Sequence, residues 1–243
     1  MKALVLAAGM GTRLRPLTDS RPKPMLPVGG RPLLEHILCW LRRQGVEEIA
    51  VNLHYLPETI TRHFQDGRQL GVRLTYSYED PILGSAGAAR RLRSFLVDTF
   101  LVVYGDLLLD VDLHPFLFFH RQTGGAVSIG LKRTENPSAN GMVEVDASGR
   151  VAGFIEKPLD GTYDGSLANA GVYVVEPGVF EWIPPGRFYD FGQHLFPALL
   201  QAGVPLHATV LRGYLLDIGN PEAYRQAQAD LAAGLVSPAR PGG

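Results

Sequence analysis

Residues 2–16 read KALVLAAGMGTRLRP. The apolar run from Lys2 to Ala8, ended by glycines, predicts a buried strand, and Leu33, Leu34, Ile37, Leu38 and Leu41 then recur at helical spacing. Strand, loop and helix form the opening unit of an α/β protein. Between them, Ala7, Ala8, Gly9, Gly11 and Thr12 form a loop whose glycines let backbone N–H groups approach an anion closely. Leu14 stands where a dinucleotide-binding fingerprint needs its third glycine, Pro16 interrupts the helix that should begin there, and no Gly-Lys-Ser/Thr of a P-loop follows. Arg13 and Arg15 lie in the loop instead, and Lys23 follows between Pro22 and Pro24, which stiffen the backbone around it. The glycines alone would read as a tight turn; with these cations they suit a polyphosphate.

Beyond the loop, strands are expected at 48–53, 72–78 and 100–104, alternating with helices at 57–64, 84–96 and 113–122. That alternation argues for a parallel sheet flanked by helices, with ligands outside the carboxyl ends of its strands. The second half differs: 126–132, 142–145 and 151–156 read as strands separated by turn residues, and a hairpin is expected across Asp146–Gly149. A strand at 170–175, helices near Phe180 and over 191–201, a strand near 206–211 and a helix over 221–233 complete the pattern. With no linker-like composition inside it, residues 1–234 are expected to form one domain with a mixed, mostly parallel sheet. Residues 235–243, rich in Pro and Gly, are expected to fray.

The 243 residues are 46% hydrophobic and 19% charged, enough for a sizeable core. With 23 basic and 24 acidic residues and no long runs, there is no broad footprint for nucleic acid or an anionic membrane, so phosphate binding must be local. The lone Cys39 excludes an intrachain disulfide. The N-terminus reads as a short apolar strand and a glycine loop, so no signal peptide is expected, and no segment is long and apolar enough to span a bilayer. A cytoplasmic protein is expected.

Asp106 follows an apolar strand and a glycine, and Asp217 precedes Ile218-Gly219 after an apolar stretch. Two carboxylates with phosphate oxygens and water would suit octahedral magnesium, although a single Asp after a strand is more often a cap. Asp110 and Asp112 precede a helix pattern and read as capping or solvated. No Ser/His/Asp or Cys/His arrangement is visible, and the seven histidines are scattered.

Residues 6–18 (LAAGMGTRLRPLT), followed by Pro22-Lys23-Pro24, resemble the signature of the sugar-1-phosphate nucleotidyltransferases. The similarity continues through 79–87 (EDPILGSAG), Tyr104-Gly105-Asp106, 154–158 (FIEKP), Asn169-Ala170-Gly171 and 217–221 (DIGNP), in the family's order. It is greatest to the mannose-1-phosphate guanylyltransferase branch, in a short form without the left-handed β-helix that many relatives carry. The resemblance implies a Rossmann-like, glycosyltransferase-A-like fold and transfer of a nucleoside monophosphate from an NTP to a sugar 1-phosphate, releasing pyrophosphate. It implies Mg2+ on Asp106 and Asp217, catalytic roles for Arg13 and Lys23, and sugar-phosphate contacts from Gly141, Glu156, Lys157 and Asn169. Two departures, Leu215 and Asn140 where relatives usually carry aromatics, bear on the acceptor pocket.

No protein nucleophile is required, because the phosphate of a sugar 1-phosphate, with a second pKa of ~6, is already anionic at neutral pH. Glu79 could accept hydrogen bonds from the amino and imino N–H groups of guanine, and Gly84 and Gly87 would leave room for a purine. GTP is therefore expected over UTP and dTTP, with mannose 1-phosphate or a related hexose or heptose 1-phosphate as acceptor. The alternatives are a thymidylyl- or uridylyltransferase acting on glucose 1-phosphate or another sugar phosphate and, outside enzymes, a nucleotide-sugar-sensing regulatory subunit. The expected assembly is a homodimer.

Overall fold

The computed structural model describes residues 1–159, 163 and 165–237. Its first part runs β1 (Lys2–Leu6), β2 (Pro27–Val28), β3 (Arg31–Pro32), α1 (Leu33–Arg43), β4 (Glu48–Leu53), α2 (Pro57–Phe64), β5 (Arg73–Tyr78) and α3 (Gly84–Arg91). Then come β6 (Phe100–Tyr104), β7 (Leu107–Val111), α4 (His114–Thr123), β8 (Val127–Arg133), β9 (Gly141–Val145) and β10 (Val151–Glu156). The last elements are β11 (Leu167–Val175), α5 (Phe196–Gln201), β12 (Leu206–Val210), β13 (Gly213–Asp217) and α6 (Pro221–Ala232). Parallel pairs coexist with antiparallel ones among these strands, giving the mixed sheet flanked by helices that the sequence implies.

Where one undivided domain is expected from composition, the chain separates into two compact units. Unit 1 comprises Met1–Ile82, Val103–Val111 and the chain from Gly213; unit 2 comprises Leu83–Val102 and Asp112–Arg212. In unit 1, β4 lies between β1 and β5, parallel to both, with Leu6 opposite Asn52 and Asn52 opposite Ser77. Helix α1 presents its apolar residues so fully that Leu33 to Leu41 are all buried, and Trp40 donates its indole N–H to the Val111 carbonyl at 2.8 Å. An antiparallel ribbon of β7 and β13 was absent from the sequence reading, and its register sets Asp217 opposite Leu107, the residue after Asp106.

Behind the ribbon, Leu14, Leu26, Val28, Leu33, Leu108, Ile218, Ala227 and Val236 form one buried cluster. Val236 is only 1% exposed, and the Ser237 N–H donates to Asp110 Oδ2 at 3.0 Å. The start of the expected frayed tail is thus packed, because Val236 is an apolar anchor that the Pro/Gly-rich composition obscured. Residues 238–243 of that expectation lie outside the described residues.

In unit 2, β8 pairs antiparallel with β11 and parallel with β12, while β9 and β10 form the expected hairpin. Asp146 ties that hairpin's turn by accepting the N–H groups of Ser148 and Arg150. Helix α3 ends at Arg91, short of the expected Leu96, and Phe191–Leu195 forms a π-helical turn ahead of α5.

Candidate active site

Strand β1 ends at Leu6, and the loop leaves it with Ala7 and Ala8 buried and Gly9 exposed. Gly11 adopts φ +64°, and a Cβ there would sit 3.0 Å from Thr18 Cγ2 and 3.2 Å from Lys23 Cβ, so only glycine allows the loop this close to Lys23. Thr18 closes the turn by donating its hydroxyl to the Gly11 carbonyl at 2.8 Å. Thr12 opens a single 3-10 turn with Arg13 and Leu14. Gly105 repeats the pattern on the other side: a Cβ there would lie 2.6 Å from the Leu6 carbonyl oxygen, which instead accepts the Gly105 N–H at 2.9 Å.

Asp106 is thereby fixed beside the loop. Lys23 Nζ donates to Asp106 Oδ2 at 2.6 Å and lies 3.5 Å from Asp217 Oδ1, with the lysine side chain 9% exposed. One ammonium therefore joins two carboxylates that are 111 residues apart in the chain (217 − 106). The backbone joins them again, through the Ile218 N–H on the Asp106 carbonyl at 3.0 Å. Arg13 is exposed and extends to the same place: a Cβ built on Gly219 would meet Asp217 Oδ1 at 2.9 Å and Arg13 Nη2 at 3.0 Å. Each charged group stands close in sequence to a member of the unit 1 core: Arg13 before Leu14, Lys23 near Leu26, Asp106 near Leu108 and Asp217 before Ile218.

These carboxylates fit a divalent cation by donor chemistry: two hard oxygen donors converge on one cationic point beside a loop of backbone N–H groups. Among the described residues no group of three or more His, Cys, Asp or Glu is gathered for a metal, so the remaining ligands would have to come from phosphate and water. Asp110 and Asp112 take other roles. Burial works against ionising Asp110, but the Ser237 N–H and the Arg43 guanidinium hold its carboxyl below the usual range. Asp112 accepts the His114 N–H at 2.9 Å at the start of α4.

Glu79 follows β5 directly and is enclosed. It is 0% exposed, and its Oε1 accepts from Asn52 Nδ2 at 2.9 Å, while Asn52 Oδ1 accepts the Ala7 N–H at 2.7 Å. The fold thus encloses this carboxylate and joins it, through Asn52, to the start of the glycine loop. Gly84 and Gly87 are closely packed within unit 2. Cβ atoms there would lie 2.7 Å from the Tyr189 carbonyl oxygen and 2.9 Å from that of Arg187, and the N–H groups of Ala86 and Gly87 both donate to the Tyr189 carbonyl. Their smallness admits the backbone of Arg187 and Tyr189.

In unit 2, Glu156 ends β10 directly opposite Gly141 on β9. A Cβ on Gly141 would stand 2.6 Å from Glu156 Oε2 and one on Gly192 3.0 Å from it, so two glycines make room for this carboxylate. Burial raises its pKa; the Lys157 charge opposes the rise and the Asp190 charge adds to it. Lys157 itself is exposed, adopts the left-handed φ of +47°, and donates its N–H to the Asn140 carbonyl at 3.1 Å. Asn140, in turn, spends its side-chain amide on the Asn136 carbonyl and Thr134.

Asn169 lies where β11 bulges against β8. Its Nδ2 donates to the Tyr173 hydroxyl at 2.7 Å and its Oδ1 accepts the Gly171 N–H, with Gly171 at φ +73°. A bulge of this kind re-aims a side chain. Sequence reasoning missed Asp190, which caps the π-helical turn through the N–H groups of Gly192 and Gln193 and accepts the Ser85 hydroxyl at 2.6 Å. An Asp just ahead of an apolar helical pattern was its available signal. Asn52 was missed as well, and its signal was a lone polar residue inside the apolar run EIAVNL.

A glycine loop at the carboxyl end of a parallel strand, a buried lysine and two carboxylates brought together on it define the class of α/β proteins that handle phosphorylated ligands. The profile of the Nucleotidyl transferase family matches residues 2–234, and the chain belongs to that family. It is 39% identical over 241 residues to a UTP–glucose-1-phosphate uridylyltransferase of Synechocystis sp., covering 93% of this chain and 62% of the relative. To a mannose-1-phosphate guanylyltransferase of Mycobacterium tuberculosis it is 40% identical over 243 residues, covering 98% and 66%. The chain therefore spans just under two thirds of the length of these curated relatives. A solved structure from Bacillus anthracis, described as a candidate glucose-1-phosphate thymidylyltransferase, superposes with a TM-score of 0.85 at 25% identity, covering 94% of each chain. HddC from Yersinia pseudotuberculosis, solved with GMP-PN, shares the fold at a TM-score of 0.80 and 24% identity over 95% of this chain and 99% of its own.

Proposed function

We propose that the protein is a sugar-1-phosphate nucleotidyltransferase, which joins a nucleoside triphosphate to a sugar 1-phosphate. The observation that carries this reading is the single contact of Lys23 Nζ with Asp106 and Asp217 beside the glycine loop. A phosphate oxygen of the acceptor attacks the α-phosphorus, forming one phosphoanhydride as the bond to the departing pyrophosphate breaks. Lys23, Arg13 and the loop N–H groups align the triphosphate and stabilise charge on the transferring and leaving phosphates. Asp106 and Asp217 would hold Mg2+, which when bound supplies further neutralisation of phosphate charge. Lys157 is assigned to the acceptor phosphate, and Glu156 and Asn169 to sugar hydroxyls, supported by the glycines that open space around Glu156.

With Glu79 enclosed, the argument for guanine from that residue falls, and the donor is proposed only as a nucleoside triphosphate. Guanylyl-, uridylyl- and thymidylyltransferases all occur among the similar proteins. A sensing subunit without chemistry is disfavoured because the lysine and both carboxylates are present and joined. The test is pyrophosphate release across a panel of nucleoside triphosphates and sugar 1-phosphates. Turnover should appear with at least one pair and fall by about 10²-fold or more in Asp106→Asn and Asp217→Asn. No release with any pair, or full activity in both variants, would refute the reading.

A further inference from the structure

We infer that Glu79 is a positioning residue, which sets the glycine loop through Asn52 and does not read the base. This rests on the nucleotidyl-transfer reading above for its kinetic consequence, but not for its structural content. The parallel pairing of β1 with β4 runs out at Leu6 and Asn52, so the next peptide, between Leu6 and Ala7, would leave the sheet with no ladder partner on the β4 side. Asn52 supplies that partner from its side chain: the Ala7 N–H donates to Asn52 Oδ1 at 2.7 Å, and the bond is buried.

The same peptide is held on its other edge, where the Leu6 carbonyl accepts the Gly105 N–H at 2.9 Å, immediately before Asp106. A trans peptide is planar, with its C=O and N–H pointing to opposite sides, so these two bonds fix the plane from which the loop departs. Glu79 enters because the Asn52 amide could turn over. The Ala7 N–H can only donate, so Asn52 must present its oxygen there and its NH2 group to the other side. Glu79 Oε1 receives that NH2 at 2.9 Å and rewards only this orientation. Glu79 is held in turn, since its own N–H donates to the Leu53 carbonyl at 2.8 Å and its carbonyl faces His54 Nδ1 at 2.8 Å.

A transverse chain thus links the carboxyl ends of four strands: Glu79 after β5, Asn52 on β4, the Leu6–Ala7 peptide after β1, and Gly105 after β6. It ends on the residue that precedes Asp106. Loosening it should move the loop N–H groups relative to the carboxylate, whichever base the triphosphate carries. That separates positioning from base recognition.

Three variants, Glu79→Leu, Glu79→Gln and Asn52→Ala, test the inference in two independent ways. Hydrogen exchange of the Ala7 amide in the unliganded protein needs no activity. It should be slow in the native protein and in Glu79→Gln, which keeps an acceptor oxygen toward Asn52, and at least tenfold faster in Glu79→Leu and Asn52→Ala. Kinetically, kcat/KM for the triphosphate should fall by about 10- to 100-fold in Glu79→Leu and Asn52→Ala, the scale of a misplacement near 1 Å. The ratio between GTP, UTP and dTTP and the KM for sugar 1-phosphate should stay within about twofold, and Glu79→Gln should recover most of the loss. Native protection of Ala7 in Glu79→Leu would overturn the inference. So would a tenfold change in the triphosphate ratio in Glu79→Gln, the mark of a carboxylate that touches the base. Absence of pyrophosphate release from the native protein would instead refute the reading of the site and leave the exchange measurement to decide the relay.

Discussion

Glu156 shows how one carboxyl group carries both a proposed role and a measurable cost. Burial raises its pKa, Lys157 pulls it back down, and Asp190 pushes it up again. The folded chain therefore binds a proton at Glu156 more tightly than the unfolded chain does. As pH rises from the ordinary glutamate range of about 4.3 towards the raised value, the unfolded state sheds this proton first and stability falls. Above the raised value the loss is complete. Glu156→Gln should remove that contribution, so its melting temperature should gain on the native protein between pH 4 and pH 7.5 while acceptor KM rises. A difference between the two proteins that does not change across that range would contradict the assigned shift. Lys23 and Arg13 were legible in sequence because their signal is local, a glycine loop and a Pro-Lys-Pro within 18 residues (7 to 24). The bond between Glu79 and Asn52 was not legible, for the opposite reason. A carboxylate after a strand points to a crevice or to a buried partner with equal ease, and the partner, Asn52, is known only once β4 and β5 are paired.

At the scale of elements, the alternating strands and helices of the first half were legible from their apolar periodicity, whereas the β7–β13 ribbon was not. LLLDV follows Asp106 without a turn signal, and its partner GYLLD lies more than 100 residues away (213 − 111), so no local pattern announces the pairing. Yet this ribbon sets Asp217 beside Asp106. Its tightest point is Gly213, at φ +127°, where a Cβ would collide with the Asp110 carbonyl oxygen and lie 3.0 Å from Val111 Cα. Gly203 makes a fair control, since it has φ +73° but nothing within 4 Å of a Cβ. Gly203→Ala should cost about 1–2 kcal/mol, the left-handed strain alone. Gly213→Ala should cost about 3 kcal/mol or more, because strain and a backbone collision add, and it alone should lower turnover by displacing Asp217. Equal losses of stability in urea, with turnover unchanged in both, would mean that the ribbon does not set the carboxylate.

Across the whole molecule, a net charge near −1 leaves phosphate binding to the few cations held in place by the fold, and those are held by a core built from distant stretches of chain. Unit 1 is assembled from three segments, and its buried cluster takes Leu14 and Leu26 from the first, Leu108 from the second, and Ile218, Ala227 and Val236 from the third. Composition made the last of these look like the start of a loose tail, but its burial makes it a closing member of the core that backs Arg13, Lys23, Asp106 and Asp217. Truncating a fully buried valine to alanine removes two methyl groups and leaves a cavity, so Val236→Ala should cost about 1–3 kcal/mol. Val97, 57% exposed, is the comparison, and Val97→Ala should stay within about 0.5 kcal/mol of the native protein. Because the loss at Val236 falls on the unit that carries the residues proposed to bind the triphosphate, saturating triphosphate and Mg2+ should raise the midpoint of Val236→Ala through binding to the folded state. Urea unfolding of both variants, with and without triphosphate, decides the matter. If Val236→Ala were as mild as Val97→Ala, the third segment would not be closing the core.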